Sequence, residues 1–108
     1  MHKPLIDACS IGNIKMIRFL LENKADVNIQ TESAMTALMF ACRIGNFDIA
    51  TLLIKEGNAN IYLRDQDNLS ALDFAIASRN PNKDDIIDLF IQKDSNLFYK
   101  SEAMVLFA

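Results

Sequence analysis

Apolar residues at Ile14, Ile17, Leu20 and Leu21 share one face of a helix, while Lys15, Arg18 and Glu22 fall on the other. Thirty-three residues later the same spacing returns as Phe47, Ala50, Leu53 and Ile54. The segment ahead of each stripe repeats too. Leu5-x-x-Ala8-Cys9-x-Ile11-Gly12-Asn13 comes back as Leu38-x-x-Ala41-Cys42-x-Ile44-Gly45-Asn46, and a third copy opens at Leu72-Asp73-Phe74-Ala75. A fixed period near 33 means that each unit buries its apolar face on its neighbours, as a stack and not around a private core.

Each unit reads as two short helices and an extended connector. Pro4 to Ser10 is the first helix, with Pro4 suited to a first turn whose N–H has no intrahelical partner. Gly12-Asn13 and Gly45-Asn46 are turns, because glycine accepts the left-handed conformation that closes a helix. Thr36 caps a helix over Ala37 to Ile44, and Gly57 is expected to stop the helix that follows. Ser70-Ala71-Leu72-Asp73 has the form of a capping box. In the third unit about three extra residues sit around Asn80-Pro81-Asn82-Lys83; Pro81 ends the first helix, and Asp84-Asp85 favours the start of the second. Ser101 to Ala108 overlays on the first helix of a further unit. The expectation is one all-α domain over 1–108, with units at about 1–30, 31–64 and 65–97 and a partial fourth at 98–108.

Composition narrows the function. Hydrophobic residues form 51% of the 108, enough for a continuous core without disulfide or metal, and the net charge of −3 with scattered Lys and Arg excludes a nucleic-acid surface. Apolar stretches are too short and too interrupted to cross a membrane. The repeat begins almost at Met1, which leaves no room for a signal peptide and points to the cytoplasm, or a host's cytoplasm if the chain is a secreted effector. Cys9 and Cys42 occupy one repeat position and read as a small buried slot used twice. His2 is the sole histidine, so no histidine-based triad or metal site is expected. Asp84, Asp85 and Asp88 fall on the start and solvent face of a helix, and no glycine-rich phosphate loop is present. No cofactor and no enzymatic activity are expected.

The residues resemble the ankyrin-repeat family. Its Thr-Pro-Leu-His-x-Ala stretch is echoed by Thr36-Ala37-Leu38-Met39-Phe40-Ala41 and Ser70-Ala71-Leu72-Asp73-Phe74-Ala75. Its Gly-Ala-Asp-Val-Asn stretch is echoed by Lys24-Ala25-Asp26-Val27-Asn28 and, with one extra residue, by Gly57-Asn58-Ala59-Asn60-Ile61-Tyr62. The resemblance implies an ankyrin-repeat solenoid of helix-turn-helix units joined by finger connectors, three full units plus a partial fourth.

The resemblance also implies a protein partner, met by the finger tips and the exposed face of each unit's first helix. Carried over by position, this nominates Ser10 in unit one, Glu32, Ser33, Met35 and Arg43 in unit two, and Gln66, Asp67, Leu69 and Ala77 in unit three. Met35 and Leu69 are apolar at equivalent positions, which fits either a contact patch or packing against their own unit. Glu32, Asp65, Asp67 and Asp73 would steer a basic partner. Tyr62 is either a recognition aromatic or a space-filler. Asn28 is expected to bond its own turn. With Leu20, Asp26 and Val27 it also has the spacing that asparaginyl hydroxylases use in ankyrin repeats. The expected function is that of a monomeric protein-binding adaptor; the alternative is a regulatory or inhibitory segment of a larger catalytic or effector polypeptide.

Overall fold

The computed structural model describes residues 3–96. Among them, six helices form three helix-turn-helix pairs: α1 Pro4–Ile11 with α2 Ile14–Glu22, α3 Ala37–Ile44 with α4 Phe47–Thr51, and α5 Ala71–Ala77 with α6 Lys83–Lys93. The first helices, α1, α3 and α5, pack side by side, and α4 packs on α6 in a second layer. His2 and the partial fourth unit expected at 98–108 lie outside the described residues.

Local chemistry sets these boundaries. The Thr36 hydroxyl accepts the Met39 N–H at 3.2 Å, and Ser70 and Asp73 complete the expected box, with the Asp73 carboxylate accepting the Ser70 N–H at 2.9 Å. Gly12 and Gly45 close α1 and α3 at φ +85° and +84°. Asn13 and Asn46 then cap α2 and α4, each accepting a backbone N–H at 3.1 Å. The first-helix layer is held by recurring slots. Leu5, Leu38 and Leu72 are buried at one position, and Ala8, Ala41 and Ala75 at another, where a small side chain lets adjacent helices approach. Cys9 and Cys42 are free thiols in the expected buried slot.

One irregularity is resolved away from where the sequence suggests. The extra residue of the second connector is taken up at the end of the helix, not in the finger. α4 runs on into a π-helical turn over Leu52–Glu56, and the Gly57 N–H reaches Leu52 O at 2.9 Å. The closing bond from Ala59 to Leu53 spans one residue more than its unit-one counterpart from Ala25 to Leu20. Gly57 does not stop the helix by a left-handed turn, since its φ is −85°; Asn58 takes that conformation at φ +51°. Gly57 is needed for space: a Cβ there would meet Leu53 O at 2.9 Å and the Leu21 and Val27 methyls at 3.2 Å.

In unit three the long turn is tied to the unit before it. The Asn80 amide donates to Ile44 O and the Asn82 amide to Gly45 O, each at 2.9 Å. These bonds give the carbonyls at the end of α3 partners that the helix itself cannot supply. The three added residues are recovered farther on, because Asp26, Asn60 and Asp94 recur at intervals of 34 and perform one task. Each accepts the N–H two residues ahead, from Asn28, Tyr62 and Asn96.

Candidate protein-binding surface

The fingers linking the units are rigid at the backbone. In the first, the Thr31 hydroxyl accepts the N–H of Ser33 at 3.3 Å and of Met35 at 3.1 Å; in the second, Asp65 accepts from Asp67 at 2.8 Å and Leu69 at 2.9 Å. Ala34 and Asn68 stand in the left-handed region, each at φ +65°. The fingers are also tied to each other. The Gln66 N–H donates to Ser33 O at 3.0 Å, and the Gln30 amide spans Ala34 O at 2.8 Å and Arg64 O at 3.3 Å. With the backbone so occupied, the side chains of Glu32, Ser33, Gln66 and Asp67 are exposed.

Ser10, Arg43 and Ala77 are exposed on α1, α3 and α5, one per unit. The Ser10 hydroxyl donates to Ile6 O at 3.1 Å, which leaves its oxygen as an acceptor. A cleft lined by Lys3, Asp7, Thr31, Glu32 and Ser33 joins α1 to the first finger tip. Phe40 and Phe74, equivalent to Asp7, are half-buried on the same helices, and the Arg43 guanidinium lies 4.9 Å from the Phe40 ring centre. These two phenylalanines were not nominated from sequence. The signal that could have found them is the change from Asp7 to Phe at a position that is not wholly buried.

Several nominated residues have other positions or partners. Met35 is buried in the core and leaves the surface, because the Thr31–Met35 backbone pairing folds the finger back over its own unit. Leu69 is half-buried for the same reason. Asp73 is buried as the partner of Ser70, with the Arg64 guanidinium 3.9 Å away, so it steers nothing. Asp65 holds its finger together, and of the four acids Glu32 and Asp67 are the exposed ones. Asn28 bonds its own turn through its backbone N–H, which donates to Asp26, while its side-chain oxygen accepts the Asn60 N–H of the next unit at 2.7 Å. Tyr62, at the equivalent position, makes the corresponding link with its hydroxyl, which donates to Asp94 at 2.8 Å. That bond, with burial and the carboxylate charge behind it, holds the Tyr62 pKa above its ordinary value.

Among the described residues no group of three His, Cys, Asp or Glu is arranged to hold a metal ion. Asp84, Asp85 and Asp88 are exposed on α6. Nor is any helix of the described residues long and apolar enough to cross a membrane. Burial raises the Cys9 thiol to about 12 and the Cys42 thiol further, so neither is a nucleophile at neutral pH.

Stacked helix pairs with linked fingers define a helical-repeat scaffold. A family model described as Ankyrin repeats (3 copies) matches residues 5–101, and the chain belongs to the ankyrin-repeat family. The chain is 35% identical over 92 residues to R664 of Acanthamoeba polyphaga mimivirus, a protein named for its ankyrin repeats; the match covers 85% of this chain and 56% of that protein. It is 28% identical over 97 residues to the phosphocholine transferase AnkX of Legionella pneumophila, covering 89% of this chain and 10% of the transferase. In structure it resembles a chain of the complex between the Bd0816 predatory endopeptidase of Bdellovibrio bacteriovorus and immunity protein Bd3460. There the TM-score is 0.73 at 30% identity, over 86% of this chain and 47% of that one. The chain thus spans between 2% and 56% of the length of the curated relatives it matches. Ankyrin repeats generally mediate protein–protein interaction and are typically non-catalytic, although relatives that contain them are parts of larger enzymes.

Proposed function

We propose that residues 1–108 form one protein-binding module whose partner lies across the finger tips and the exposed face of α1, α3 and α5. The observation that carries this reading is the contrast within the fingers. Their backbone is fixed by bonds within and between units, while the side chains of Glu32, Ser33, Gln66 and Asp67 are exposed. A surface ordered before the partner arrives loses little conformational entropy on docking. Ser10, Arg43 and Ala77 extend the surface along the helices. Phe40 and Phe74 offer the aromatic area that anchors an interface, and Glu32 and Asp67 favour a basic rim on the partner. The working compartment is the cytoplasm, or that of a host. Asn28 is a subsidiary candidate for hydroxylation, read as one added oxygen by mass spectrometry.

A second reading is supported by the relatives' lengths: the same surface regulates a larger polypeptide, as the short fraction of AnkX covered by the chain suggests. Affinity capture from the source organism's lysate tests the first. Wild type is run beside a variant carrying Glu32→Ala, Arg43→Ala, Gln66→Ala and Asp67→Ala, all at exposed positions. A partner held by wild type and lost by the equally stable variant supports this surface. Equal capture by both refutes it.

A further inference from the structure

The middle helix of the first layer has a neighbour on each side, α1 and α5, so what α3 leaves open is open within the stack. Phe40, Arg43 and Ile44 follow at i, i+3 and i+4 on α3 and therefore share one face. Phe40 is half-buried with the Arg43 guanidinium over its ring, and Ile44 is 46% exposed although both neighbours are in place. On α5 the equivalents of Phe40 and Arg43 are Phe74, half-buried, and Ala77, exposed. An apolar strip thus crosses two adjacent helices. Its two edges carry opposite charge. Each finger precedes the helix it feeds, which puts the exposed Glu32 and Asp67 beyond the N-terminal edge of the strip; the exposed Arg43 and Arg79 stand at its C-terminal edge.

Resting on the protein-binding surface proposed above, we infer that its occupant is an amphipathic α-helix of another protein, laid across α3 and α5. Its apolar stripe covers Phe40, Ile44 and Phe74, its basic flank faces Glu32 and Asp67, and its acidic flank faces Arg43 and Arg79. Packed helices lie about 8–10 Å apart axis to axis. Two turns of a crossing helix advance about 10 Å, so apolar side chains at i, i+3 or i+4 and i+7 step from α3 to α5. An extended strand fits this span less well, because its same-face side chains recur at about 7 and 13 Å and stand perpendicular to the strand, away from both edges. Addition of a strand to the fingers would also break bonds already made there, from Gln66 N–H to Ser33 O and from the Gln30 amide to Ala34 O and Arg64 O. A helix, in contrast, has two flanks beside its apolar stripe, and these can carry the opposite charges that the two edges require.

The test is a titration of the full chain, followed by backbone amide NMR shifts, with a synthetic peptide of about 18 residues, long enough to hold a helix. The peptide carries Leu along one stripe, Lys along one flank and Glu along the other; a control peptide has a central Pro. The helical peptide should bind with a dissociation constant below about 1 mM and shift the amides around Phe40, Ile44 and Phe74, and the Pro peptide should not. Ile44→Ser should weaken binding about tenfold, and Ser78 at the equivalent position of unit three shows that the fold accepts serine there. Arg43→Glu/Arg79→Glu should also weaken it about tenfold, whereas Lys15→Glu/Lys55→Glu, of the same net charge but on the second helices, should not. Circular dichroism melting checks that each variant is folded. No binding by about 1 mM, equal binding of the Pro peptide, or binding indifferent to the Ile44 and Arg43/Arg79 changes overturns the proposal. If lysate capture still depends on Glu32, Arg43, Gln66 and Asp67 when the peptide fails, the helix is removed and the surface stands. Equal capture by wild type and the four-alanine variant removes both.

Discussion

Cys9 and Cys42 make the stack sensitive to alkali, although neither thiol performs chemistry. An exposed thiol has an ordinary pKa of 9.0, and burial raises Cys9 to about 12 and Cys42 beyond that. A group whose folded pKa is raised contributes its full stability below the unfolded value and loses it as pH climbs above that value. The window therefore opens at pH 9.0 and extends to about 12. At pH 10 each unfolded-state thiol is mostly ionised, which favours the unfolded chain by about 1.4 kcal/mol per thiol, or about 2.7 kcal/mol for both relative to pH 8. Against a typical total of about 5–15 kcal/mol this is a large share. Urea unfolding at pH 8, 9 and 10, on wild type and on Cys9→Ala/Cys42→Ala, isolates the effect. The double variant is less stable at pH 8 but lacks the thiol slope, and its residual loss reports every other titration, Tyr62 included. Parallel loss in the two proteins would refute the reasoning, because the thiols would then be ionising without leaving the core.

Four further substitutions test three local features. Ala34 sits at φ +65°, so Ala34→Gly should stabilise by about 0.5–1 kcal/mol in chemical denaturation; a loss would mean that the finger turn is not left-handed. Gly12 and Gly45 share one φ, but a Cβ at Gly45 alone would run into Asn80, which bonds Ile44 O. Gly45→Ala should therefore cost about 1 kcal/mol more than Gly12→Ala, and equal costs would remove Asn80 from its place. Asn28→Ala should cost about 0.5–1.5 kcal/mol and speed hydrogen exchange at the Asn60 amide, whereas unchanged exchange would place that bond elsewhere.

Much of the architecture was legible along the chain, because its causes are local. The period of 33 reveals stacking, Gly12 and Gly45 mark turns by their conformational freedom, and Thr36 and Ser70 mark helix starts by bonding three residues ahead. The helix bounds Ala37–Ile44 agree with the residues that predict them. The exposed positions Ser10, Glu32, Ser33, Arg43, Gln66, Asp67 and Ala77 could be placed by counting within the repeat, since a fixed period fixes which side each residue takes. What counting could not decide depends on partners far away in sequence. Met35 is buried because its finger folds back; Asn28 points to Asn60 because a second unit stands beside it; the extra connector residue becomes a π-helical turn because the finger must keep its register with its neighbour. Side-chain type sets what a position can bury, but burial itself needs a second surface, and that surface exists only once the units have assembled.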